Sequence, residues 1–366
     1  MYAIRTLRSQ PLRLALTVGG IALCIVLMFF LLAVYRGVAD GSVEYIRQNR
    51  ADLWVLQETA TNILRGSSIL SADQIYAIAR TPGVRTAAPV LFLLSTVRHG
   101  GQVGTVFLTG FDPDKGLGGP PQLSWGRSPR VDDEIVLDRS FALKFGFKPG
   151  GEVDLQGHPL KIVGISLGTN AFVIQYAFVT LRFARNLIGV PGLATCVLVN
   201  AEPGAGLGPI REEICDVLAG LNAYDQETFL ANNVHEMRSG FLPLLYTVAA
   251  IGAIVLTAIL SLLLSVNILE RRKDFAILKT LGSPLPFLWG LVIKQAVLIA
   301  SVSCAAALIL FFPLVQVIER VSPEVTTRST LGQIAGVIAA VLLMSLVSSL
   351  VAIRRLRRIY FLEAFS

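Results

Sequence analysis

Residues able to carry chemistry are sparse in this sequence, and their spacing excludes most of the chemistry they could do. His99, His158 and His235 are the three histidines. None stands at ligand spacing from another, and no cysteine or carboxylate cluster completes a metal site around them. Asp132, Asp133 and Glu134 are adjacent, a pattern that reads as a solvated turn ahead of a strand and not as a general acid–base pair. A G-x-x-x-x-G-K-[ST] loop is missing, so there is no cradle of backbone amides and Lys to hold a nucleotide phosphate. A Gly-x-Ser-x-Gly elbow for acyl transfer is missing too. The chain is therefore read as non-enzymatic, with no catalytic, cofactor-binding or metal-binding residue of its own. Cys24 and Cys304 lie in apolar runs, where a free thiol acts as a small hydrophobe. Cys196 and Cys215 lie elsewhere, and their spacing leaves open whether they pair.

The informative stretch runs from Glu270 to Pro284, ERRKDFAILKTLGSP. On a helix, Phe275, Leu278 and Leu281 fall on one stripe flanked by Ile277, while Glu270, Arg271 and Lys279 populate other faces. Gly282 ends such a helix and Pro284 prevents its continuation. A helix too short to span must lie on the membrane surface or dock in a partner's groove.

The elements around that stretch are membrane spans. Among 366 residues, 53% are hydrophobic and 16% charged, with a mean hydropathy of +0.64, whereas ordinary soluble chains carry about 25% charge. Four runs are long enough to cross a hydrocarbon core about 30 Å thick, over residues 14–35, 243–269, 287–313 and 331–353. The first continues too far to be a cleaved signal and reads as an anchor. The net charge of +7 collects at Arg5, Arg8 and Arg13, at Arg271, Arg272, Lys273 and Lys279, and at Arg354, Arg355, Arg357 and Arg358. Residues 36–242 hold 18 Lys and Arg against 20 Asp and Glu. The positive-inside rule then puts both termini (1–13 and 354–366) and the 270–286 loop in the cytoplasm. Residues 36–242 and the short loop 314–330 fall outside it. The basic pI is a topology signal, and no nucleic-acid partner is implied.

Residues 36–242 read as an α+β domain. Strands are expected at 51–56, 84–97, 102–111, 134–137, 152–155, 160–165, 176–179 and 196–199. Helices are expected at 72–80 with Ser71 as N-cap, at 140–145 before Gly146, over 208–218, and over 225–242 leading into the second span. Gly, Pro and Ser crowd residues 113–130, which reads as a flexible loop between two lobes. In the fourth span, Gly332-x-x-x-Gly336 is a candidate dimer face.

The 270–282 stretch resembles the E-R-x-x-E-[IF]-[AG]-x-L-[KR]-x-[LI]-G signature of FtsX-like permeases of ABC transporters, the family of MacB, DevC, FtsX, LolC and LolE. Glu270, Arg271, Phe275, Ala276, Leu278, Lys279, Leu281 and Gly282 match, and Asp274 replaces Glu. The runs Asp133–Leu137, Ala142–Gly146, Gly150–Val153 and Ile162–Ile165 are similar to the family's outer domain. The layout of one span, a large domain and three further spans is similar as well. The resemblance implies a MacB/DevC-like permease subunit in a bacterial inner membrane, surrounded by lipid, that extrudes or releases substrate by mechanotransmission. It implies two copies of a separate cytoplasmic ATPase, which bind ATP and Mg, docked through 270–282 as a coupling helix. It also implies a homodimer or a related permease as partner, and a periplasmic adaptor. Regulation of a periplasmic cell-wall hydrolase and lipoprotein release are the alternative activities within the same family.

Overall fold

The computed structural model describes residues 11–63, 66, 68–171, 174–240, 242–270, 277, 284–325 and 327–356. The chain divides into two units: a membrane unit of residues 1–36, 243–318 and 327–366, and an α/β domain of residues 37–242 and 319–326.

Helix α1 covers Pro11–Gln48. Its C-terminal turns belong to the domain, because Val43, Tyr45 and Ile46 are almost fully buried there. The domain's ten strands are β1 (Leu53–Gln57), β2 (Val84–His99), β3 (Gln102–Phe111), β4 (Gln122–Gly126), β5 (Glu134–Asp138), β6 (Glu152–Leu155), β7 (His158–Leu167), β8 (Gln175–Thr180), β9 (Cys196–Ala201) and β10 (Leu221–Asp225). They form one mixed sheet in the order β10-β1-β9-β2-β3-β8-β5-β7-β4, with β6 pairing β2 and β7. The β3–β8 and β5–β7 pairs are parallel. Long β2 makes the sheet continuous: its first half pairs β9 and its second half pairs β3.

Helices α2 (Ala72–Arg80), α3 (Arg139–Phe145), α4 (Leu181–Ile188), α5 (Leu207–Glu212) and α6 (Gln226–Gly240) complete the domain. Ser71 caps α2 as expected and forms the full reciprocal box with Gln74. A single π turn, Glu213–Val217, follows α5 where a regular helix is expected.

The sheet corrects two expectations. Two lobes are not separated by residues 113–130, because the strands run through one sheet. Nor is that segment a free loop: it contains a 3₁₀ turn, Pro113–Lys115, and strand β4, which pairs β7. Its glycines make this close packing possible. A side chain at Gly118, whose φ is +81°, would strike Val90 at 2.4 Å. The Tyr45 hydroxyl donates to the Gly118 carbonyl at 2.7 Å, and the Gly118 amide donates to Asn49 Oδ1 at 3.0 Å.

In the membrane unit, α7 covers Leu242–Glu270, α8 Leu285–Val321 and α9 Leu331–Leu356. Among the described residues four helices are long and apolar enough to span, at Ala15–Gly41, Pro243–Val266, Trp289–Val321 and Leu331–Leu350. Ile21, Ile25 and Phe29 pack with Leu256, Ala300 and Phe311 in a shared core, while Ile254 and Ile309 are about 70% exposed (69% and 73%). A water-soluble protein would not leave such side chains in long rows, and lipid is their solvent. Helix α8 does not stop at Pro313, where the apolar run suggests it would; it continues to Val321. Proline removes one donor but does not end a helix in apolar surroundings.

Candidate functional site

Of the candidate coupling residues, Glu270 is the exposed last residue of α7. Arg271, Phe275, Leu278, Lys279, Leu281 and Gly282 lie outside the described residues. Across the loop, Pro284 is exposed and its carbonyl accepts from the Phe287 amide at 2.9 Å. Helix α8 thus opens with Pro286 in its first turn, where the missing donor has no intrahelical partner to lose. Gly332 and Gly336 sit exposed in the first turns of α9, with open space where a Cβ would point.

A second locus, which the sequence reading misses, joins segment 319–326 to the domain. Asp138, the last residue of β5, caps α3 through the Ser140 and Phe141 amides at 2.7 and 3.3 Å. Its other oxygen accepts from the Thr169 hydroxyl at 2.7 Å, and Thr169 is in turn bonded to Ser166. Burial pushes the Asp138 carboxyl above its ordinary range against those bonds. Next to this cap, Asn170 Nδ2 donates to Ser140 Oγ at 3.2 Å and to the Glu324 carbonyl at 2.9 Å. Lys144 Nζ, in the last turn of α3, pairs with Glu324 at 2.5 Å. The segment that follows α8 is therefore held by two groups, directly by Lys144 of α3 and by Asn170, which also bonds Ser140 of α3. No motif announces it, since Lys144 and Glu324 are 180 positions apart.

The opposite end of β5 behaves differently. Arg127 forms a bidentate pair with Glu134, and the Arg130 amide donates to the same carboxylate at 2.9 Å. Hydrogen bonding to Arg127 holds Glu134 below the usual carboxylate range. A hollow of about 540 Å³ nearby is lined by Arg130, Asp132, Arg182 and Arg185 with Asp112 and Asp114. Within it Asp132 accepts from both Thr180 and Arg182, and Arg185 Nε donates to the Leu193 carbonyl at 2.8 Å.

Cys196 and Cys215 are both free thiols. Cys196 is buried in the aromatic core, while Cys215 packs against a separate cluster around Ile210 and Ile214. His99 and His158 pack against the rings of Phe147 and Phe183.

Four apolar spans, with a large α/β domain in the chain between the first and second, describe a multi-pass membrane protein. The family model for the MacB-like periplasmic core domain matches residues 14–217, and that for the FtsX-like permease C-terminal region matches residues 246–361. The chain belongs to the FtsX-like permease family of ABC transporters, with a MacB-like core domain. An uncharacterized ABC transporter permease of Mycobacterium bovis is 24% identical over 302 residues, covering 81% of each chain. Another, from Mycobacterium tuberculosis, is 24% identical over 315 residues and covers 84% of each. Among solved structures, the periplasmic region of MacB from Actinobacillus actinomycetemcomitans is 12% identical. It covers 54% of this chain and 96% of that one, with a TM-score of 0.40. The extracellular domain of YknZ from Gram-positive bacteria is 14% identical, covers 47% and 99%, and has a TM-score of 0.38. An ABC permease works with an ATPase partner, and this chain is a multi-pass membrane protein.

Proposed function

We propose that this protein is the permease subunit of a MacB/DevC-like transporter in a bacterial inner membrane, with both termini in the cytoplasm. It acts as a dimer with two copies of a separate cytoplasmic ATPase. The ATPases dock on residues 270–282, with Phe275 and Leu278 as anchors and Glu270, Arg271, Lys279, Leu281 and Gly282 shaping the helix. ATP and Mg are bound by the partner. Closure of the ATPases displaces the loop between α7 and α8, and the domain uses that movement to drive substrate outward, working with a periplasmic adaptor. Gly332 and Gly336 form the dimer contact, where small residues let helix backbones approach.

The observation that carries mechanotransmission is the fastening of segment 319–326 to α3 through Lys144, Asn170 and Glu324. Segment 319–326, which continues directly from α8 in the chain, packs as part of the domain.

The test places Asp at Phe275 or Leu278. An unpaired charge in a docked interface costs about 2–4 kcal/mol, roughly 30- to 1,000-fold in affinity. Co-purification of the ATPase is expected to collapse in both variants. Lys279→Ala is expected to keep most binding, because rim charges are screened. Wild-type ATPase stoichiometry with both Asp variants, in the same detergent, would overturn the coupling assignment.

A further inference from the structure

Strand β2 changes partners at its midpoint, leaving β9 at Val90 and taking up β3 at Leu91. A separated pair of strands cannot be covered by one continuous row of side chains, and a cavity of about 360 Å³ opens at this junction. Its walls include Leu56, Phe92, Phe107 and Leu193, with the Phe92 and Phe107 rings stacked at 5.3 Å. Ile69, Leu94 and Ile188 line the same cavity yet are 57%, 64% and 37% exposed, so they form its mouth.

Among the described residues that line it, none is charged. The polar side chains there already have partners. Thr195 Oγ1 donates to the Val90 carbonyl and accepts from the Phe92 amide. Ser68 Oγ accepts from the Gln57 amide, and Asn62 Oδ1 accepts from the Gly66 amide. A buried water needs about two to four polar partners, whereas an apolar cavity of about 150 Å³ stays dry and takes up benzene. This cavity is larger, mainly apolar in its described walls although Asn62, Ser68 and Thr195 also line it, and open at an aliphatic rim, which suits a chain that enters end-on better than a ring enclosed on all sides.

We infer that this cavity is a binding site for an alkyl chain of a single-chain amphiphile taken from solution, with the polar head left outside the mouth. The chain desolvates itself against Leu56, Phe92 and Leu193, and Leu94 guides its entry. The inference does not depend on the ATPase or on the coupling helix.

The experiment uses the full chain in phosphatidylcholine nanodiscs. The probe is dodecylphosphocholine carrying a diazirine at the end of its chain, and cross-linked peptides are mapped by mass spectrometry. A second arm puts the same diazirine on the acyl chain of the nanodisc phosphatidylcholine. The soluble probe is expected to label peptides spanning 56–69, 91–94 or 193–196, with unlabelled dodecylphosphocholine competing and a hexyl analogue competing poorly. Leu94→Arg puts a charge at the exposed mouth, and Leu193→Trp fills the interior. Each is expected to lower that labelling about tenfold or more, the equivalent of about 1.4 kcal/mol. Leu94 is exposed, so its variant also tests the site where the filled variant fails to fold. Labelling confined to the four spans, labelling unchanged in Leu94→Arg, or labelling of the cavity only from the bilayer-borne probe would each overturn the inference.

Discussion

The α/β domain and the helical bundle bury polar groups in opposite ways. In the domain, several buried polar atoms find partners far along the chain, although Thr109 Oγ1 has none among the described residues. Tyr45 reaches Gly118, Trp54 Nε1 donates to Gln226 Oε1 at 2.8 Å, and Gln226 Nε2 donates to the Ile46 carbonyl at 2.6 Å. In the bundle, most described hydroxyls turn back on their own helix, and Ser303 Oγ is buried with no partner among the described residues. Directional bonds between distant segments specify the domain's one arrangement. The bundle rests on shape, because in lipid the helix satisfies its own backbone and leaves little for side chains to settle.

Removing the centre of the domain's network should have the largest effect. Tyr45 stacks on Tyr176 at 4.9 Å and meets Phe92 edge-on. Tyr45→Ala should cost about 3–5 kcal/mol through the cavity it leaves. Tyr45→Phe should cost about 1–3 kcal/mol by orphaning the Gly118 carbonyl. The guanidinium midpoint followed by near-ultraviolet circular dichroism checks both, and equal midpoints for wild type and Tyr45→Phe would show that the bond contributes nothing.

The two ends of β5 should give pH slopes of opposite sign. Asp138 has its carboxyl raised by burial, so the folded state holds that proton more tightly than the unfolded chain. Its contribution is fully present below the unfolded value and is lost as pH rises through the raised one. Glu134 is depressed, so its contribution is present above the unfolded value and is lost as pH falls through the lowered one. Asp138→Asn should flatten the decline above the ordinary carboxylate range, since the amide can donate to Thr169 and the hydroxyl chain can reverse. Arg127 is half exposed (51%), so Arg127→Ala should cost little, and most of that loss should be absent in acid, where Glu134 is protonated. Melting temperatures of the three proteins across pH 3–8 decide both signs.

The smallest effects belong in the bundle, and they sharpen the contrast. Ser348 Oγ donates across to the Thr257 carbonyl of another helix at 3.0 Å. Ser348→Ala should cost about 0.6 kcal/mol, the usual worth of such bonds in lipid. Ser345→Ala and Ser265→Ala, which lose only bonds within a helix, should lie within about 0.5 kcal/mol of wild type. Thermal melts in one detergent rank the three, and a loss at Ser265 as large as that at Tyr45 would break the distinction between the two regions.

Much of the domain was legible because its strands alternate or stay apolar between turn residues. The bounds of β3, β6 and α2 match the expectation from sequence, and β5 and β9 differ by one and two residues at one end. What escaped had weak local signals. Strand β4 hides in a Gly/Pro-rich segment, β10 is short and half polar, and α4 has a charged face that breaks the apolar run. The candidate coupling residues were found from their pattern alone, whereas the Lys144–Glu324 fastening left no trace in any local window.

The sequence by itself determined the four spans, the domain between the first and second of them, and the family, since hydropathy and short motifs are local properties that no packing is needed to reveal. Tertiary structure alone decided that residues 113–130 are pinned and that ten strands make one sheet. It alone decided that Asp138 and Glu134 titrate in opposite directions, and that a cavity opens where β2 changes partners. Each of these depends on groups dozens of positions apart being brought within a few ångströms, and a linear chain records the groups but not the distance between them.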